Sequence, residues 1–245
     1  MPRSARAKSS TGIYHVMLRG INRQVIFTDS EDNEKFLQTI ADCKSISGFE
    51  MYAYCLMGNH VHLLIKEGSE GLPQIFKRIG SRYVYWYNWK YDRCGHLFQD
   101  RFRSEAVEND GYFVTVLRYI HQNPVKAGIS GSVSEYKWSS YGDYIRKDGI
   151  TDYELALDMI GEAQFEAFMN EERNDKCLDE SVRRLHDSNL IKMIEDITGI
   201  KATDIGNETR EKRNQILREI LKIEGVSARQ LSRITGISVN AIWAL

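Results

Sequence analysis

Apolar positions along the first half of the chain change period several times, and each change marks an element. Ile13-Tyr14-His15-Val16-Met17-Leu18-Arg19-Gly20 is rich in β-formers and ends at a glycine, which predicts a strand. Asp29-Ser30-Glu31-Asp32 is a helix-start signal, its acidic residues suited to the positive helix end. Phe36, Ile40 and Cys43 then recur at helical spacing until Gly48. Phe49 to Met57 reads as a strand, Gly58-Asn59 as a turn or bulge, and His60 to Ile65 as a strand continuation. From Leu72, the residues Phe76, Ile79, Tyr83 and Trp86/Tyr87 share one helical face. Tyr83 to Tyr87 has the composition of a strand, but the upstream spacing predicts helix. Asp92 to Asp100 is a loop and Phe102 to Val107 a strand. Gly111 to Gln122 forms a third helix, ended by Asn123-Pro124, and the domain closes near Tyr144.

The order is β-α-β-α-β-α without a Rossmann glycine motif. Short strands with packed helices predict an α+β fold, a ferredoxin-like antiparallel sheet. After Gly149 the pattern turns helical: Tyr153 to Ile160, Ala163 to Glu172, Asp179 to Asp187, Leu190 to Thr198 and Glu208 to Lys222. The end is a helix-turn-helix candidate, Ala228 to Ile234 and Val239 to Leu245 around Thr235-Gly236-Ile237-Ser238. Ser227 and Ser238 are suitable N-caps, and Gly236 suits a turn with positive φ. Three regions follow: 1–148, an acidic helical linker at 149–190, and an all-α region at 191–245.

Composition narrows the class. With 42% hydrophobic and 27% charged residues, the chain is globular rather than disordered. No 18-residue apolar run predicts a membrane span, and the basic N-terminus leads into no apolar signal region. A soluble, cytoplasmic protein without a membrane partner is expected. The net charge of −1 hides an asymmetry. Residues 1–130 carry 17 basic and 13 acidic residues, whereas 151–190 carry 4 and 11. A nucleic-acid partner is therefore decided by local patches, not by the total. Cys43, Cys55, Cys94 and Cys177 show no CxxC spacing, so a thiolate zinc site is not indicated and free thiols are expected.

Two constellations carry chemistry. His60-Val61-His62 on a strand turns both imidazoles to one face, a natural metal half-site. Tyr119 and Asn123, four apart, share a helix face; tyrosine can act as a nucleophile and asparagine offers a hard oxygen. Either alone is weak, because a tyrosine on a helix commonly just packs. Together they stand with further text: Tyr14-His15-Val16 with Arg19-Gly20 and Asn22-Arg23; Met57-Gly58-Asn59-His60-Val61-His62-Leu63-Leu64; Gly95-His96-Leu97-Phe98-Gln99 with Arg101-Phe102; Arg118-Tyr119-Ile120-His121-Gln122-Asn123-Pro124-Val125-Lys126; and Trp138-Ser139-Ser140-Tyr141. In this order, over about residues 10–145, the chain resembles the single-tyrosine HUH transposases, especially their REP-associated branch.

That resemblance implies an antiparallel sheet with helices on one face. It implies that Tyr119 is the catalytic nucleophile, and that His60, His62 and Asn123 hold a divalent metal, Mg²⁺ or Mn²⁺. The implied reaction is single-stranded DNA nicking and strand transfer through a 5′-phosphotyrosine, on hairpin or palindromic DNA, by a monomer or homodimer. Arg19, Asn22, Arg23, Arg101, Arg103, Arg118 and Lys126 become candidate DNA contacts. His96 and His121 become structural or DNA-contacting residues, while His15 and His186 carry no signal. The aromatics Tyr83, Tyr85, Trp86, Tyr87 and Trp89 divide between core packing and base stacking. The C-terminal helices resemble those of replication-initiator and Trp-repressor-type domains, which adds duplex contact through Asn240. The competing reading is a non-catalytic, sequence-specific DNA-binding regulator using the helix-turn-helix.

Overall fold

The computed structural model describes residues 7–173, 175, 177, 178, 187–223 and 226–244. It divides into two compact units, Met1–Leu178 and Asp179–Leu245. The first unit runs β1 (Ile13–Arg19), α1 (Ser30–Ser47), β2 (Glu50–Met57), β3 (His60–Lys66), α2 (Leu72–Lys90), β4 (Arg103–Ala106), α3 (Asp110–Lys126). The sheet order is β2-β3-β1-β4 with every pair antiparallel, the ferredoxin-like arrangement. Gly58-Asn59 is a two-residue turn: Met57 pairs with His60, so β2 and β3 form a hairpin. The irregularity lies instead between Met51 and Ala53, where the register shifts.

Local chemistry explains the helix limits. Asp29 and Asp32 form a reciprocal capping box at the start of α1, and Gly48 ends it at φ 62. Tyr83 to Tyr87 is helical, as the spacing predicts. The helix α3 does not stop at Gln122; it continues through Pro124 to Lys126. A proline withholds one N–H from the helix ladder. Here the Asn123 side-chain amide donates to the Tyr119 carbonyl at 3.1 Å, and the Ala127 N–H returns to the Asn123 carbonyl at 2.9 Å.

Helices cover both faces of the sheet, not one. On the first face, Val16, Leu18, Val61, Leu63 and Ile65 pack with Phe36 and Ile40 of α1 and Phe76 and Tyr83 of α2. On the second, Ala53, Cys55, Met57 and Leu64 pack with Val116, Leu117 and Ile120 of α3. Three short helices, α4 (Tyr141–Arg146), α5 (Glu154–Ile160) and α6 (Phe165–Asn170), join this second layer. Ala156, Phe165 and Met169 are buried there, so 149–178 belongs to the first unit rather than to a separate linker. Its acidic composition masked those few apolar anchors. Trp138-Ser139-Ser140 covers the open edge of β2: Leu56 N–H donates to Trp138 O, and Ser140 N–H to Tyr54 O, both at 2.9 Å.

The second unit holds α7 (Asp187–Thr198), α8 (Arg210–Leu221), α9 (Ala228–Thr235) and α10 (Val239–Trp243), with a 3₁₀ stretch at Ala202–Asn207. Leu190, Ile194, Ile205, Leu217, Leu231 and Ile242 form its core. Ser227 caps α9 by accepting from Gln230 N–H at 3.2 Å, and Gly236 sits at φ 72. Ser238 precedes α10 without a side-chain cap bond. The helix expected at 179–187 falls outside the described residues up to Asp187, as do His186 and Leu245. Cys43, Cys55, Cys94 and Cys177 are free. Among the described residues, no helix is long and apolar enough to cross a membrane.

Candidate active site

Residues paired directly across antiparallel strands share a face. Three rows of the sheet therefore build the floor under α3. Arg19 pairs with His60 and His60 with Met57. Cys55, His62, Met17 and Arg103 form the next row, and Leu64, His15 and Glu105 the third. His60 and His62 lie together, ring centroids 5.0 Å apart, as the alternation of a strand requires. Tyr119 comes down from α3 with its ring 5.8 Å from that of His62. All three side chains are buried.

His15 completes the cluster. Its Nε2 lies 2.9 Å from His62 Nδ1, and its ring is 5.8 Å from Tyr119. Sequence spacing does not single out His15, because one buried histidine on a strand is common. The signal that finds it is strand register, which sets β1 beside β3. His60 Nδ1 meets Asn59 Oδ1 at 2.7 Å. His62 is fully buried, and its Nε2 has no hydrogen-bond partner among the described residues. Burial, with His15, His60 and Arg103 nearby, pushes the His62 imidazole well below its ordinary pKa. It is thus held neutral, the form a metal ligand needs.

The donor set fits a divalent cation: two imidazoles on one face, one with an unpartnered buried nitrogen. No group of three His, Cys, Asp or Glu residues is arranged to hold a metal among the described residues. Asn123, one turn after Tyr119 on α3, donates its Nδ2 to the Tyr119 carbonyl, which leaves its Oδ1 as an acceptor.

The candidate DNA contacts separate. Arg19 and Arg103 line a small groove of about 280 Å³ with Met17, Gln99, Asp100 and Phe102, beside the histidine rows. The Lys126 ammonium lies 5.0 Å from the centre of the Tyr119 ring. Asn22 and Arg23 are exposed and both adopt positive φ, 52 and 61. Their loop is tied to the β2–β3 turn: Gly20 N–H donates to Asn59 O at 2.9 Å, and Ile26 N–H to Gly58 O at 2.8 Å. Gly20 is required there, since a Cβ would meet the Gln24 carbonyl oxygen at 2.2 Å. Arg101 lines a separate groove with Lys77 and His96. Asn240 is exposed on α10, in the second unit.

Arg118 is turned inward rather than to the surface. It is buried, bonds Asp175 at 3.0 and 3.1 Å and Glu171 at 3.3 Å, and stacks 4.4 Å over Phe168. One residue from Tyr119 along a helix, its side chain points roughly 100° away, toward the α6 layer. His121 is likewise structural, its Nε2 at 2.7 Å from Ser140 Oγ and its Nδ1 at 3.4 Å from Met169 Sδ. Tyr83 and Tyr87 are core residues, whereas Tyr85 and Trp89 are exposed.

Residues 8–123 match the family model described as IS200-like transposase. A REP-associated tyrosine transposase of Escherichia coli K12 is 25% identical over 138 residues, covering 55% of this chain and 78% of that protein. A solved structure of a REP-associated tyrosine transposase bound to a REP hairpin superposes with a TM-score of 0.57 at 17% identity. It covers 76% of this chain and all of the other.

Proposed function

We propose that this chain, whose residues 8–123 match the IS200-like transposase model, nicks and rejoins single-stranded DNA through a 5′-phosphotyrosine on Tyr119. The observation that supports this is the convergence of Tyr119 on His60 and His62 from separate elements. His60, His62 and Asn123 would hold Mg²⁺ or Mn²⁺, hard enough for mixed nitrogen and oxygen ligands. Such an ion would polarise the scissile phosphate and stabilise the charge that develops on it. Phenols are protonated at neutral pH, so Tyr119 gives up its proton as its oxygen bonds to phosphorus. The 3′ oxygen leaves with the bonding pair and is protonated to a free hydroxyl. The phosphodiester energy stays in the tyrosine ester, and a 3′-OH can reverse the step without ATP.

The relative solved with a REP hairpin supports a hairpin-bearing strand as the substrate class. A DNA substrate places the work in the cytoplasm. Arg19, Arg103 and Lys126 are the cations best placed to receive phosphates beside Tyr119. Duplex contact through α9 and α10, with Asn240 outward, extends the reading to the second unit.

A labelled hairpin oligonucleotide with Mn²⁺ tests the proposal. The parent protein forms a covalent adduct that survives denaturing electrophoresis. Tyr119→Phe abolishes it while melting as the parent does. An adduct that persists in Tyr119→Phe overturns the assignment.

A further inference from the structure

Resting on the metal-site reading above, we propose that His15 is a positioning residue that fixes the tautomer of His62. The two rings share one hydrogen bond, His15 Nε2 to His62 Nδ1 at 2.9 Å. One proton serves that bond, so one nitrogen donates and the other accepts. If His15 donated, His62 would carry its remaining proton on Nε2. A proton there would occupy the lone pair a cation needs. If His62 Nδ1–H donates to His15 Nε2, the His62 Nε2 lone pair is free to ligate. Only this second arrangement is consistent with His62 as a ligand.

The sheet enforces the arrangement. His15 lies on β1 beside Leu64, two residues along β3 from His62, and both project from the same face. The rings meet at 5.1 Å between centroids with a 38° tilt, so the bond is made across two fixed strands rather than through a mobile loop. Ligating histidines generally have their second nitrogen held in this way, which sets ring orientation and basicity. Here the holder is an imidazole in place of the usual carboxylate or carbonyl. His60 differs, with its Nδ1 at 2.7 Å from the adjacent Asn59 side chain. The two histidines of the half-site are therefore oriented by separate devices, and loss of His15 disturbs only one.

Two measurements on the full chain test this. Long-range ¹H–¹⁵N correlation of the metal-free protein reads the histidine tautomers directly. The expected result is His62 protonated at Nδ1 with a bare Nε2, changing toward Nε2–H in His15→Leu. A His62 protonated at Nε2 in the parent overturns the proposal. In the second measurement, Mn²⁺ titration by calorimetry compares the parent, His15→Leu and His15→Gln, whose amide oxygen can still accept from His62. His15→Leu is expected to weaken Mn²⁺ binding about 10- to 100-fold, and His15→Gln to recover most of it. Parent-like affinity in His15→Leu, or equal loss in both variants while both melt normally, overturns the role. Mn²⁺ binding that survives His62→Ala overturns the metal-site reading itself, and this inference with it.

Discussion

The two faces of the sheet are built by alternate residues of the same strands, yet they hold opposite chemistry. The face under α1 and α2 is an apolar cluster of Val16, Leu18, Val61, Leu63, Ile65, Phe36, Ile40 and their neighbours. The layer on the α3 side buries His15, His60 and His62 from the strands and Arg118, His121 and Asn123 from α3 itself. Buried polar groups cost stability unless they are paired. On the second face most are paired: His121 with Ser140 and Met169, Arg118 with Asp175 and Glu171. His62 Nε2 is not. His121 and His62 are both fully buried, so burial alone does not tell them apart; His121 has a partner on each ring nitrogen, and His62 on one among the described residues.

The comparison can be broken most forcefully on the apolar face. Phe36 is fully buried with edge-on contacts to Tyr83 and Phe27. Phe36→Ala is expected to lower unfolding free energy by about 4 kcal/mol in denaturant titration. Protein that remains folded at low temperature should keep the Tyr119 adduct. Loss of the adduct without loss of stability would show that the first face also serves the chemistry.

Arg118→Met removes the buried partner of the half-buried Asp175 carboxylate, and about 3 kcal/mol of stability is expected to go with it. The salt dependence of hairpin binding should not change. A shallower dependence would return Arg118 to the DNA surface.

Acid acts on the polar face next. Burial pushes the His121 imidazole down to about 3, so the folded state keeps it neutral while the unfolded chain protonates it below about 6.5. The unfolded state then binds more protons, and stability present above pH 6.5 is lost as pH falls. Between pH 7 and 5, His121 accounts for about 2 kcal/mol of that loss. Stability curves at the two pH values measure it, and His121→Asn should flatten them by that amount. His62 shifts in the same direction.

The smallest effect on stability is expected at Arg103, which is exposed beside the histidine rows. Arg103→Gln should change stability by under about 0.5 kcal/mol. It should reduce the logarithmic salt slope of hairpin binding by about one. An unchanged slope would move the phosphate path away from this groove.

Much of this protein is local, and local features are legible in sequence. Strand alternation places His60 and His62 on one face, and helical spacing places Asn123 one turn after Tyr119; both follow from backbone geometry. The same rules locate the four strands and the long helices to within a few residues, because each apolar period spans only its own element. Tertiary structure decided what depends on distant pairing. The β1–β3 register delivers His15 to His62 from 47 residues away. The packing of residues around Phe168 and Asp175 against α3 buries Arg118 and pairs its charge. The second helical layer exists because Phe165 and Met169 find the aromatic cluster around His121, Tyr141 and Tyr144. No periodicity encodes which distant surface an apolar residue will meet: that choice is made by the whole core at once, through close packing and the pairing of every buried polar group.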